Sequence, residues 1–302
     1  RKSLTGWLNM GAPEVLIGRS YAGQAQEGYR NPYVFKCINI RAKAMGSIPW
    51  LLYRGQKEVE DHPLLRLLDR PNPQIGGSRF IQDLVGYRLL NGNAYVYAPP
   101  NSFTAPKELY ALRPDMTQLI EGDAQRPVAG YQFSGRHGST RIAPEDMLHW
   151  KSFNPLDELR GMSPLMAAAL SIQMNSDSRA WDVALLQNGG KSSGTVTTDG
   201  QLTDKQRAAL KEQLKAKHSG PRNAGKMMVM EGGMHWEQMG MTAVEMDWIE
   251  GLKLSAKEIC IALETPPEMA GDSANKTYSN YQEARKAFYQ ETVIPDMRDL
   301  CD

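Results

Sequence analysis

Cysteine is scarce in this sequence. Only Cys37, Cys260 and Cys301 occur among 302 residues, and no pair of them has the CxxC spacing of a zinc or redox site. An odd and widely spaced set argues against a disulfide scaffold and fits a protein that folds in a reducing compartment. We therefore expect buried or incidental thiols.

Long apolar runs and an excess of one charge are also missing. No apolar stretch reaches the roughly 18 residues of a membrane-spanning helix, so no membrane partner is expected. The 35 basic and 34 acidic residues leave a net charge of +1. Proteins that grip DNA tightly usually carry a basic excess, because phosphate neutralisation supplies most of the binding free energy. Near-neutrality instead suits a channel along which DNA must slide.

Two segments resemble catalytic motifs but stand in the wrong context. Residues 220–227 nearly match a P-loop, yet Met227 replaces the hydroxyl residue that holds magnesium, and a strand is predicted after the motif, not before it. Residues 190–194 match the nucleophile elbow but run from helix to strand, the reverse of the required order. The five histidines lack metal-site spacing. We therefore expect no catalytic residue, no metal and no cofactor, so that the chain is not an enzyme.

The pattern of the first half predicts an α+β fold with an antiparallel meander. Residues 1–30 are glycine-rich and are interpreted as an extended arm. Asn31 and Pro32 form a helix-start signal. Helices are predicted at Asp61–Leu68 and Ser78–Leu90, and strands at Ile48–Tyr53, Ala94–Tyr97, Leu109–Leu112, Thr117–Glu121, Tyr131–Phe133 and Met147–Trp150.

The second half predicts two long helices that flank a small α/β unit. Ser163 and Pro164 begin the first helix, and the second covers about Thr242–Leu263. Between them we predict a strand at Gly194–Thr198, a polar helix at Thr203–Lys217 and a hairpin of Lys226–Glu231 with His235–Met239. A last helix follows, which Pro295 is expected to kink. Helix, small domain and returning helix suit a stalk that carries a tip.

From Asn31 onward the chain resembles the HK97-type portal proteins of tailed bacteriophages. The matching pieces occur in family order over roughly residues 31–300, and the ordered set is more specific than any one piece. They are Asn31–Val34, His62–Leu64 with Arg70–Pro73, Leu90–Tyr95, Leu112–Pro114, Gly161–Leu165, Leu263–Met269 and Tyr278–Glu283. The Leu90–Tyr95 piece contains the family's GNAY turn.

This resemblance implies a homo-oligomeric ring, usually a dodecamer, at one capsid vertex of a virion that is assembled in the host cytoplasm. Double-stranded DNA would pass through the ring transiently and without sequence specificity. The implied partners are the terminase large subunit, head-completion or adaptor proteins and the major capsid protein. The implied anatomy, after the arm at 1–30, is wing at 31–162, stem helix at 163–190, clip at 191–240, stem helix at 241–263, and tunnel loop with wing helix at 264–302. The sequence departs from the family in its C-terminal crown, which is expected to be absent or truncated.

The resemblance also implies three groups of site residues. The tunnel loop would face DNA through Asp272, Ser273, Asn275, Lys276 and Thr277. Lys276 is the first candidate for a phosphate contact. The stem would line the channel with Glu245, Asp247, Glu250, Lys253 and Lys257. The clip would dock partner proteins through Lys205, Arg207, Lys211, Lys215, Met234 and Trp236.

Two alternatives to the portal interpretation stay open at this point. One is a nucleic-acid-processing enzyme or motor component, which would need a working nucleotide or metal site. The other is a head–tail adaptor or minor capsid protein, which should not close a ring on its own. Methionine is abundant, with 16 residues in the chain and a cluster between Met227 and Met246. That cluster fits either core packing or an adaptable docking surface.

Overall fold

A computed structural model of the chain describes residues 28–101, 105–136, 138–187, 194–198, 234–238, 244–271 and 278–301. The chain divides into two compact units. The first unit comprises Arg1–Gln173 together with Ala256–Asp302, and the second comprises Met174–Ser255. Within the described residues, no helix is both long enough and apolar enough to span a bilayer.

Helices make up most of the described structure. In chain order they are α1 (Pro32–Gly46), α2 (Pro63–Asp69), α3 (Gly77–Asn91), α4 (Pro164–Ala167), α5 (Ala169–Gln187), α6 (Val244–Ala262), α7 (Pro267–Ala270), α8 (Tyr278–Phe288) and α9 (Ile294–Cys301). A π-helical segment, Tyr289–Val293, joins α8 to α9. It ends two residues before Pro295, which has no backbone N–H to continue a regular helical ladder. The helical hydrogen-bond pattern therefore changes close to the position where the sequence predicted a kink.

The strands form small antiparallel sheets. They are β1 (Tyr53–Arg54), β2 (Lys57–Glu58), β3 (Asn93–Tyr97), β4 (Tyr110–Leu112), β5 (Thr117–Glu121), β6 (Val128–Gly135), β7 (Gly138–Ile142), β8 (Met147–Lys151), β9 (Gly194–Thr198) and β10 (Met234–Gln238). In the first unit the sheet orders are β1-β2, β4-β3-β8 and β5-β6-β7. Tyr95 of β3 lies opposite Leu112 and His149 on its two sides. The α+β class predicted from the sequence is confirmed.

One hydrophobic core joins the first helices to the starts and ends of the long ones. Its fully buried members include Val34 of α1, Leu84 of α3, Leu165 of α4, Ile172 of α5 and Ile259 of α6. A second cluster, which includes Tyr95 and Tyr131, lies under the two three-stranded sheets. Both clusters belong to the first unit, and the core therefore holds the two long helices at their bases.

The second unit contains most of both long helices and the β9–β10 pair. Asn175 of α5 is fully buried and donates to Ser255 Oγ of α6 at 3.1 Å. This bond satisfies polar groups that would otherwise be buried at a cost. Met234–Gln238 pairs antiparallel with Gly194–Thr198, with Trp236 opposite Val196. The predicted hairpin partner at 226–231 and the predicted helix at 203–217 lie outside the described residues.

One predicted strand in the first unit was wrong, and one observed strand was not predicted. Residues 48–52 are not a strand, and only Tyr53–Arg54 pairs, with Lys57–Glu58. Strand β7 was not predicted from the sequence. Its first four residues are exposed, and its composition, Gly-Ser-Thr-Arg-Ile, is that of a polar edge strand. In both cases the deciding factor is whether a partner strand lies alongside, which composition does not report.

Candidate functional site: the roots of the two long helices

The first long helix starts at a close crossing of two glycine segments. Gly92 ends α3 in the left-handed conformation, with φ of 85°. A Cβ on Gly92 would lie 2.5 Å from the Met162 carbonyl carbon, and a Cβ on Gly161 would lie 2.0 Å from the Gly92 carbonyl oxygen. No side chain fits at either position. The Leu90–Tyr95 and Gly161–Leu165 segments, which carried the family resemblance separately, therefore form one structural feature.

Asn93 fastens this crossing with its side-chain amide. Its Oδ1 accepts from Gly161 N at 2.7 Å, and its Nδ2 donates to the Gly161 carbonyl at 3.2 Å. The same Oδ1 lies 2.9 Å from Nε2 of His149. Asn93 is buried, and its side chain thus has partners for both its amide and its carbonyl group.

Ser163 caps the helix that leaves the crossing. Its hydroxyl accepts from Leu165 N at 3.1 Å and donates to the Leu89 carbonyl at 2.9 Å. Pro164 occupies the first helical position, as the sequence predicted. The predicted single helix has a break at Ala168, which separates α4 from α5. One buried hydroxyl therefore links the end of α3 to the start of α4.

His149 is the most strongly perturbed titratable group at this root. Burial, followed by the positive charges of Lys151 and Arg160, lowers the pKa of His149 to about 4. Its ring stacks on Tyr95 with the ring centres 4.5 Å apart. Burial raises the pKa of Tyr95 to about 12. Both groups are neutral near pH 7 and act as packing and hydrogen-bonding groups there.

The second long helix ends at a buried arginine. Arg41 of α1 donates from Nη1 to the Leu263 carbonyl at 3.3 Å. It also forms ion pairs with Glu264 at 3.0 Å and with Asp296 at 2.6 Å. Glu264 has φ of 51°, the only non-glycine residue with positive φ in the described part of the chain. The arginine thus binds the carbonyl at the end of α6 and the carboxylate of the strained residue after it.

This ion cluster extends to a second arginine. Arg88 of α3 pairs with Asp296 at 3.4 Å and with Asp299 at 2.8 Å. Trp150 Nε1 donates to Asp299 at 2.8 Å, and the Arg88 guanidinium lies 4.2 Å from the centre of the Trp150 ring. Burial lowers the pKa of Arg88, although the two aspartates oppose this shift. Its Nε has no hydrogen-bond partner among the described residues.

The arrangement supports a mechanical role. The two roots lie side by side, since Ser171 of α5 donates to Glu258 of α6 at 2.5 Å. Among the described residues, no group of three or more metal-ligating side chains converges. The caps, the glycine crossing and the ion cluster all fix where the helices leave the first unit. The sequence did not predict this cluster, and the signal that could have indicated it is Arg41, a charged residue among the buried positions of α1.

The residues predicted to line a channel are partly described. Glu250, Lys253 and Lys257 are exposed and follow one face of α6 at helical spacing. Glu245 and Asp247 belong to the same helix by backbone, and Met234 and Trp236 belong to β10. The remaining predicted residues lie outside the described part of the chain. They are Lys205, Arg207, Lys211, Lys215, Asp272, Ser273, Asn275, Lys276 and Thr277.

Comparison with known proteins gives consistent matches along almost the whole chain. The family model described as phage portal protein matches residues 32–302. An uncharacterised protein of Rickettsia felis is 37% identical over 290 residues, which cover 91% of this chain and 74% of that protein. A chain in the neck of a native gene transfer agent particle, computed with C12 symmetry, is 33% identical with a TM-score of 0.64, over 93% of this chain and 75% of that chain. An HK97-family phage portal protein from Corynebacterium diphtheriae, 14% identical, shares the fold with a TM-score of 0.66, over 91% of this chain and 86% of that chain.

Proposed function

Because this chain belongs to the phage portal protein family and is a portal protein of the capsid vertex, we propose that twelve copies close into a ring through which double-stranded DNA passes. The observation that carries this proposal is the family match over residues 32–302. The number twelve follows the related gene transfer agent chain, whose neck was computed with C12 symmetry. The virion is the place of action, after assembly in the host cytoplasm.

The two helix roots supply the rigidity that a conduit needs. DNA moving along a ring exerts force on the surfaces that it touches, and a helix transmits that force to its base. The Gly92–Gly161 crossing and the Arg41 cluster tie the bases of both long helices to one core. Close-packed protein interiors have low compressibility and transmit strain. We infer that the first unit is the fixed frame of the ring.

DNA contacts are proposed for the tunnel loop and for one face of the second long helix. Glu250, Lys253 and Lys257 place two positive charges and one negative charge on an exposed face of α6. Mixed charge and a chain net charge of +1 keep phosphate binding weak, because each released counterion adds affinity. We propose that Lys276 in the tunnel loop makes the most direct phosphate contact and that no base is read.

Protein partners are proposed for two separate parts of the chain. Residues 191–240 would form the clip that meets the terminase large subunit and the head-completion or adaptor proteins. Arg207, Lys211 and Lys215 follow one another at intervals of four residues, with Lys205 just before them. Met234 and Trp236 would add an apolar contact. The first unit would contact the major capsid protein. The portal family is structural, and we propose that this chain, too, catalyses no reaction.

Electron microscopy of the purified chain tests the proposal. Two-dimensional class averages are expected to show closed rings of twelve copies with a central hole as wide as duplex DNA. An ATPase assay on the same sample, with Lys226→Ala as the matched variant, tests the motor alternative. Hydrolysis that disappears in Lys226→Ala would contradict a purely structural role, and chains that never close a ring at high concentration would favour an adaptor.

A further inference from the structure

Helix α2 is rich in leucine, yet it buries none of its residues in the protomer. Four of its seven residues are leucine, and none of the seven is buried. Leu64 is 43% exposed. Arg66, the one basic residue of α2, forms an ion pair with Asp61, and both side chains are exposed to solvent. Leu65, Leu67 and Leu68 are only half-buried, and contiguous apolar surface of this kind marks a site of interaction with another surface.

The segment before α2 continues the same apolar surface. Leu51 is 60% exposed. A cavity of about 440 Å³ opens between this segment, α2 and the start of α3. Its apolar lining includes Ile48, Pro49, Trp50, Leu65, Leu68 and Ile81, and its polar lining includes Glu60 and Asp69. We call Trp50, Leu51, Leu64, Leu65 and Leu68 the leucine patch. It combines a recess with an apolar rim, which is the form of a surface that accepts a protruding side chain.

A second exposed apolar feature protrudes from the loop before α4. Phe153 is 85% exposed and Leu156 is 81% exposed. We call these two residues the knob. The loop that displays them is held by its own polar side chains: Asn154 Oδ1 accepts from Leu156 N at 3.0 Å, and Asn154 Nδ2 donates to the Arg160 carbonyl at 2.8 Å. The knob is therefore presented by an ordered loop, which lowers the entropy cost of binding.

We propose that the knob of one subunit inserts into the leucine patch of the neighbouring copy and that this contact closes the ring; the inference rests on the proposed ring. A ring with cyclic symmetry joins each chain to the next through two different surfaces. The related gene transfer agent neck was computed with C12 symmetry. Knob and patch both belong to the first unit. A heterologous contact buries both features of every subunit, whereas another partner protein would have to cover each of them separately.

Mixing two assembly-blocked variants tests the pairing directly. Phe153→Asp places a charge in the knob, and Leu64→Asp places a charge in the patch at the first turn of α2, where an acidic residue suits a helix. Each variant alone is expected to stay monomeric by mass photometry. An equimolar mixture is expected to form dimers and stop there, because the intact knob of Leu64→Asp meets the intact patch of Phe153→Asp. Leu148→Asp, an exposed apolar position outside both features, is the control and should still form rings.

Cross-linking gives the residue-level test. In a Cys301→Ser background, a chain that carries both Leu64→Cys and Phe153→Cys should yield a ladder of covalent oligomers with a short bis-maleimide. The native Cys37 and Cys260 should not react, because both are buried. Circular dichroism confirms that each variant is folded. Rings from Leu64→Asp or Phe153→Asp, or monomers only in the mixture, would overturn this inference while wild-type rings leave the proposed function intact. A wild-type chain that never assembles would overturn both.

Discussion

The thiol sulfurs of Cys37 and Cys260 lie 3.8 Å apart although 223 residues separate them in the chain. Cys37 belongs to α1 and Cys260 to the last turn of α6, and both are buried. The hydrogen bond to Cys260 and the burial of the site raise the pKa of the Cys37 thiol. The pair thus marks the contact between α1 and the base of α6. The Cys37 thiol is protonated there and therefore unreactive.

Thiol labelling should therefore distinguish the three cysteines. We expect one fast-reacting thiol per folded chain, at the exposed Cys301, while Cys37 and Cys260 react only as the core opens. The measurement is the time course of labelling with a chromogenic disulfide reagent. The Cys301→Ser variant should lose the fast phase, and a fast phase of three thiols would contradict the burial of the pair.

Removing Arg41 should destabilise the chain strongly. Arg41→Ala leaves Asp296, which is 13% exposed, without its closest cation, and loss of one partner of a buried pair costs about 3 kcal/mol. The free energy of unfolding from denaturant titration measures this. Arg66→Ala is the matched control, because Arg66 and Asp61 are both 73% exposed and such pairs contribute about 1 kcal/mol or less. Equal effects of the two variants would refute a structural role for the Arg41 cluster.

Local signals in the sequence found the helix starts but not the ion cluster. Asn31 and Ser163 cap their helices through their own side chains, and a cap depends on residues within one turn. The pairing of Arg41 with Asp296 joins positions 255 residues apart, which no local pattern encodes. Residues 48–52 show the opposite failure, since strand-like composition was present without a partner strand.

The glycine crossing was present in the sequence only as two separate family pieces. Gly92 and Gly161 lie in two separate segments that resemble the family, and nothing in either segment reveals that each glycine excludes a side chain at the other. Their packing is a property of the folded core. Similarly, His149 lacked any metal spacing, but its burial beside Tyr95 becomes visible only when β3 and β8 pair.

Acidification should destabilise the protein through His149. The folded pKa is about 4 and the ordinary value is 6.5, so the unfolded chain takes up a proton first as the pH falls. Stability is therefore lost from about pH 6.5 downward and levels off near pH 4. The loss between pH 7 and pH 5 is about 2 kcal/mol. Denaturant titrations of wild type and His149→Gln at both pH values measure it. If the free energy of unfolding of His149→Gln falls as much between pH 7 and pH 5 as that of the wild type, the loss comes from other groups.

The glycine crossing should tolerate no side chain. Gly161→Ala would bring a Cβ to 2.0 Å from the Gly92 carbonyl oxygen, and the backbone shift that this requires costs about 3 kcal/mol. Thermal unfolding measures the loss. Gly86→Ala is the control within α3, where an added Cβ meets nothing within 4 Å. That variant should be more stable by roughly 0.5–1 kcal/mol, because alanine favours the helix.

Lys276→Ala should change DNA packaging without changing assembly. We propose that this loop lysine touches phosphate, and removing one phosphate contact weakens binding only slightly at physiological salt. The expected result is rings indistinguishable from wild type by class averaging, with an altered amount of nuclease-protected DNA per particle. Lys43→Ala, an exposed lysine of α1, is the matched control and should package normally. If Lys276→Ala forms no rings, Lys276 contacts a neighbouring subunit and the proposed DNA contact is wrong. If both variants package equal amounts of DNA, Lys276 does not contact the DNA.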